Sequence, residues 1–138
     1  MPRPRSGDDG SVLLLALGYA LLALALIFVC VCATDLYLTQ KRLDALADAA
    51  ALAGADGFTL VVDDRGPRAQ LVDEEVRAQA IVVIDAATTD ADLVRAGTPE
   101  GTSARVTVST TWHPPLVAPL VPDGVRLEAT GTSRTALR

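Results

Sequence analysis

Apolar residues along this chain fall into three successive patterns. The first is a block: Ser11 to Thr34 runs 24 residues without a charge. Within it, Val12 to Ala33 holds eight Leu, three Val, Ile27 and Phe28. A bilayer core needs about 20 such residues in a helix. On the insertion scale these thirteen contribute roughly −4 to −8 kcal/mol. A core helix this uniform would need to be surrounded by protein, and 138 residues are too few for that. The block predicts a transmembrane helix over 11–34.

The second pattern is a narrow stripe. Asp35 to Ala55 has no proline, and its first glycine is Gly54. Leu36, Leu43 and Ala50 recur every seven residues, with Thr39, Leu46 and Ala53 as the companion series, as in an a/d seam. Gly54 and Gly57 supply the stop. The spacing predicts one helix over 11–55, its far half (35–57) Ala-rich. Ala45, Ala47, Ala49, Ala50, Ala51, Ala53 and Ala55 raise helix propensity. They also offer a surface that another backbone can approach closely.

The third pattern alternates and breaks. Thr59–Asp63 reads as a strand, Asp64-Arg65-Gly66-Pro67 as a turn and Ala69–Val72 as the returning strand. Asp73 reads as an N-cap, with Glu74 and Glu75 in the first turn, where acidic groups suit the helix dipole. Val76, Ala80, Val83, Ile84 and Ala87 share one face of a helix over 74–88. Strands follow at Leu93–Gly97, Arg105–Trp112 and from Val125 to Ala129 or beyond. His113 to Gly124 holds four prolines and reads as a loop. The expected architecture is α+β. A long N-terminal helix leads into a small domain (58–138), where one helix packs on an antiparallel sheet.

Charge sharpens this picture. The chain carries −5, all of it beyond the apolar block, since Arg3 and Arg5 balance Asp8 and Asp9. An acidic domain argues against a nucleic-acid partner, which needs a basic footprint. Cys30 and Cys32, the two cysteines, sit two apart on a helix. They point to different faces and cannot pair with each other. Arg3 and Arg5 on one side of the block equal Lys41 and Arg42 on the other, so the positive-inside count is tied. The short N-terminus and large acidic remainder favour N-in, C-out. A second reading stays open. Arg3 and Arg5 resemble a signal n-region, and Val31 and Ala33 fit a cleavage site, which would release a secreted binding protein after Ala33. The block is longer than the usual 7–15-residue signal core.

Catalytic chemistry is not legible. His113, the one histidine, has no nucleophile or carboxylate at a recognisable spacing. Asp63/Asp64 and Glu74/Glu75 are adjacent pairs and cannot face each other across a substrate. Asp90 and Asp92 lack the glycine and distant Glu of a calcium loop. No cofactor, metal or small-molecule substrate is expected, and the chain is read as a non-enzyme. Leu116, Val117, Leu120 and Val121, among the loop prolines, are an apolar group that could meet a partner.

Gly10-Ser11, the apolar helix, Asp35-Leu36-Tyr37-Leu38 and the run Leu43–Gly57 together resemble the Flp pilus-assembly TadE/TadG-like family. The residues that fit are Asp35, Tyr37, Leu43, Asp48, Ala50, Ala51, Leu52, Ala53, Gly54 and Ala55. The resemblance implies a bitopic, pilin-like protein of the tight-adherence system. It would sit in the bacterial cytoplasmic membrane with residues 1–10 inside and its domain outside. Partners would be other pilin-like or pilus-assembly proteins, met through the helix motif. Members cleaved by a prepilin peptidase carry Glu at the fifth position after the cleavage-site glycine. Counted from Gly10, that position is Leu15. The departure favours an anchored accessory or minor pilin-like protein over a shaft-forming pilin.

Overall fold

The computed structural model describes residues 8–64, 66–115 and 123–134. Its elements run α1 (Asp8–Asp56), β1 (Thr59–Asp63), β2 (Gly66–Gln70), α2 (Asp73–Ala86), β3 (Asp92–Gly97), β4 (Ser103–Trp112) and β5 (Val125–Arg134). The chain divides into two compact units, Met1–Asp35 and Leu36–Arg138.

In the first unit, α1 is a bare apolar rod. Leu13 and Leu14 are each 71% exposed, and the large side chains from Val12 to Leu26 are exposed all round the helix. In water such a surface is untenable, because every one of these groups is hydrated at full cost. Cys30 and Cys32 are both free thiols, as their spacing requires.

The second unit is an α+β sandwich of two layers. β3, β4 and β5 form an antiparallel meander in the order β3-β4-β5, and β1 pairs with β2 in a separate two-stranded hairpin. Period-two alternation sorts β4 and β5 cleanly. Ala104, Val106 and Val108 face the core, and across from them stand Ser133, Gly131 and Ala129. Thr107 and Thr130 pair on the opposite face, their hydroxyls 2.9 Å apart. A register shift between Leu93 and Arg95 marks a bulge in β3, so Leu93 and Ala96 still turn inward.

Two helical segments cover the inner face, one more than the residues from 58 onward could supply. α2 brings Val76, Ala80 and Ile84, all buried. The end of α1 brings Leu43, Ala47, Ala50, Ala51 and Ala55, each 2% exposed or less. The largest fully buried side chains are Leu43, Val76, Val106 and Val108. Phe58 and Trp112 are half-buried at the margin. With no ring at its centre the core gains its contacts by proximity. A Cβ on Gly54 would lie 2.9 Å from Val76 Cγ1, and one on Gly131 would run into the Ala47 carbonyl.

Three local expectations need correction. Asp63 pairs with Gly66, so the turn ends before Gly66 instead of running on through Pro67. Gly66 and Pro67 open β2, which ends at Gln70 instead of running on to Val72. Gly66 makes this possible with φ +106°, a conformation open to glycine. Leu71 then leaves the hairpin and its N–H donates to the Gly101 carbonyl at 2.9 Å. Asp73 is not the N-cap of α2. Val72 holds that position without a side-chain bond, and Asp73 opens the helix. The Asp73 carboxylate accepts the Thr98 N–H at 2.7 Å, tying α2 to the turn after β3.

This tie is testable. A hydrogen bond to a charged acceptor is worth about 1.5–3 kcal/mol; exposure of Asp73 places it at the lower end. Asp73→Ala is expected to lower the melting temperature by roughly 6–12 °C, followed by Trp112 fluorescence. Asp73→Asn keeps an acceptor oxygen and should lose less. Equal losses in the two variants would show that the bond contributes nothing.

Candidate functional site

The residues singled out by sequence lie along one helix, and its pitch divides them. Leu43, Ala50, Ala51 and Gly54 fall on the face turned to the sheet and α2, where all four are buried. Asp48 and Leu52 are exposed on the other side, Leu52 at 57%. Ala53 is half-buried between the two. Tyr37 is 60% exposed, and Asp35 is exposed at the end of the first unit. The buried alanines therefore serve contacts within this chain. Ala45, Asp48, Ala49 and Leu52 form what remains open on that stretch of α1.

Polar groups organise the start of the second unit. The Lys41 ammonium stands 5.8 Å from the centre of the Tyr37 ring and 3.3 Å from Asp44 Oδ2. Gln40 Nε2 donates to Asp44 Oδ1 at 3.0 Å and to the Glu128 backbone carbonyl at 3.1 Å. The second bond links α1 to β5. These groups are solvated, so each adds little stability. What they fix is the seating of this part of α1 against the end of β5 within the second unit.

Two further features were not legible in the sequence. The β1–β2 hairpin is exposed along β1, with Leu60 at 63% and Val62 at 76%. A cleft of about 250 Å³ lies where the first turn of α2 meets the end of β3, lined by Asp73, Arg95, Thr98 and Arg105 among others. Thr98 Oγ1 is buried there without a hydrogen-bond partner. Residues far apart in sequence meet at the cleft, so only strand register could reveal it. Among the described residues no three His, Cys, Asp or Glu side chains group as metal ligands would. Leu116, Val117, Leu120 and Val121 lie outside the described residues.

Within α1 the uncharged stretch is long and apolar enough to cross a membrane, and none of it is buried by protein. At 1.5 Å per residue, Val12–Ala33 spans about 33 Å, close to the hydrocarbon thickness of about 30 Å. Residues 10–57, about a third of the chain, match the family described as "Putative Flp pilus-assembly TadE/G-like". The matched segment covers almost all of α1 and ends one residue beyond it. No protein of curated function matches the chain, and no solved structure does.

Proposed function

We propose that this chain is a membrane-anchored, non-enzymatic accessory protein, minor pilin-like, of a Flp-type pilus-assembly or secretion apparatus. The observation that carries the reading is the coincidence of two features on α1. The segment matching the pilus-assembly family is also the one that bears the bare apolar span. In this reading residues 11–34 lie in the cytoplasmic membrane with the N-terminus inside. Tyr37 and Lys41 meet the headgroups, where an aromatic ring and a long cation are favoured. The residues from Leu36 onward form the extracytoplasmic domain. Asp35, Tyr37, Asp48 and Leu52, on the exposed side of α1, are the family positions left for neighbouring pilin-like subunits. The loop residues Leu116, Val117, Leu120 and Val121 are a second contact in this proposal.

Topology is the direct test. Glu100 is exposed in the turn between β3 and β4. With Cys30 and Cys32 replaced by serine, Glu100→Cys is expected to react with a membrane-impermeant maleimide from the extracytoplasmic side. Reaction only after the cytoplasm is opened would overturn the reading. Intact mass of the membrane-extracted protein should be 14.4 kDa. A mass short of the first 33 residues would turn it into the released binding protein instead.

A further inference from the structure

The sheet of the second unit has one covered face and one open face, and they differ in charge. The open face carries Arg95, Arg105, Arg126 and Arg134 against Asp92 and Glu128, a balance of +2 in a chain of −5. All six are exposed. Between them the strands present threonines, Thr107, Thr130 and Thr132. Among the described residues, one of the four arginines is engaged in an ion pair, Arg126 with Glu128 at 3.0 Å. Arg95 and Arg105 have no ion-pair partner among the described residues.

The helix layer on the other side has the opposite sign. α2 carries Asp73, Glu74, Glu75 and Asp85 against Arg77 alone, a balance of −3, and all five are exposed. The second-unit part of α1 adds Asp44, Asp48 and Asp56 against Lys41 and Arg42, a further −1. The two charged surfaces are back to back, with the apolar core between them. The core keeps most of these outward charges apart within one molecule; Asp73 is the exception, because it lines the cleft with Arg95 and Arg105.

We propose that the open β3–β4–β5 face docks the acidic helix layer of a second copy of this chain. The contact is head to tail, so the pair keeps one free surface of each sign and the arrangement can extend. Arginine suits such a contact, because its guanidinium is weakly hydrated and forks onto carboxylates. The cleft lined by Asp73, Arg95, Thr98 and Arg105 sets two guanidinium groups against one carboxylate, with the unpartnered Thr98 hydroxyl beside them. The face has no apolar centre, so the contact is polar and salt-sensitive. It rests on charge placement in the second unit and holds whether or not the pilus reading does.

Charge reversal tests it on the full chain in detergent or liposomes. The readout is crosslinking and sedimentation at low and high NaCl. Wild-type protein is expected to self-associate at low salt and to dissociate as salt rises. Arg95→Glu with Arg105→Glu should weaken association about tenfold or more, and so should Glu74→Arg with Glu75→Arg. Each double variant alone sets like charges against like. Mixed in equal amounts, the two should associate again, because every contact in an alternating array is then complementary. Thermal melting checks that both variants fold. Association that ignores salt and both reversals would overturn the proposal, as would a mixture that fails to recover. Loss in the arginine variant only would also overturn it, pointing to an acidic partner other than this chain.

Discussion

Gly131→Leu is expected to abolish the folded state of residues 36–138 while leaving the apolar part of α1 helical. Gly131 sits on the inner face of β5, opposite Val106. A Cβ there would collide with the carbonyl carbon and oxygen of Ala47 and lie 2.7 Å from the Asp48 nitrogen. These are backbone atoms of a helix, and no rotamer change can move them aside. Ordinary overpacking costs about 1–3 kcal/mol, and a rigid neighbour raises that. Gly131→Ala already carries the colliding Cβ and should cost about 3 kcal/mol or more, and the leucine should exceed what a domain of this size can lose. Trp112, the single tryptophan, reports the loss through its half-buried ring at the end of β4. Gly18 is the control. A Cβ there meets nothing within 4 Å, so Gly18→Ala should leave the transition in place. A leucine variant melting like wild type would show that α1 and β5 do not approach this closely.

The second large effect concerns where the domain begins. A fragment 36–138 is expected to fold and melt cooperatively, and a fragment 58–138 is not. Pattern reading places the domain start at the glycine stop after α1, and predicts that 58–138 is marginal for want of aromatic anchors. The structure supplies the stronger reason. Thirteen apolar residues are buried among those described, and Leu43, Ala47, Ala50, Ala51 and Ala55 are five of them. Cutting at 58 strips the inner face of β4 and β5 of its cover and exposes Val106, Val108 and Ala129 together. Deleting one buried leucine side chain costs about 2–5 kcal/mol. Losing Leu43 with four close-packed alanines surpasses the 5–15 kcal/mol that holds a typical domain. Small domains have little margin, because they bury a smaller share of their surface. Cooperative melting of 58–138 alone, by calorimetry or Trp112 fluorescence, would contradict this account.

How legible each part was follows from the range of the force that sets it. The seven-residue series at Leu36, Leu43 and Ala50 predicts a helix because the signal repeats within one element. The alternation Arg105-Val106-Thr107-Val108 predicts a strand for the same reason. Asp73 misleads because an aspartate before a helix satisfies local donors by default. Here a donor from residue 98 is within reach and takes the carboxylate instead. The hairpin turn misleads because Gly66-Pro67 is a strong local turn signal. Pairing of Asp63 with Gly66 overrides it.

What the sequence determined by itself is therefore one-dimensional. It set a span of lipid length, a helix carried past it to residue 55, a second helix, a hairpin, three further strands and a resemblance to a pilus-assembly family. Each rests on periodicity, composition or ordered motif, all readable without knowing what touches what. The tertiary structure decided which partner each face received. The alanines of α1 could have met another subunit's helix. They meet Gly131, Val76 and the inner face of β4 instead, because small side chains on both sides let backbone reach backbone. With these contacts the second compact unit runs from Leu36. It also left the arginines of the sheet on the open side, where register alone gathers them into one surface.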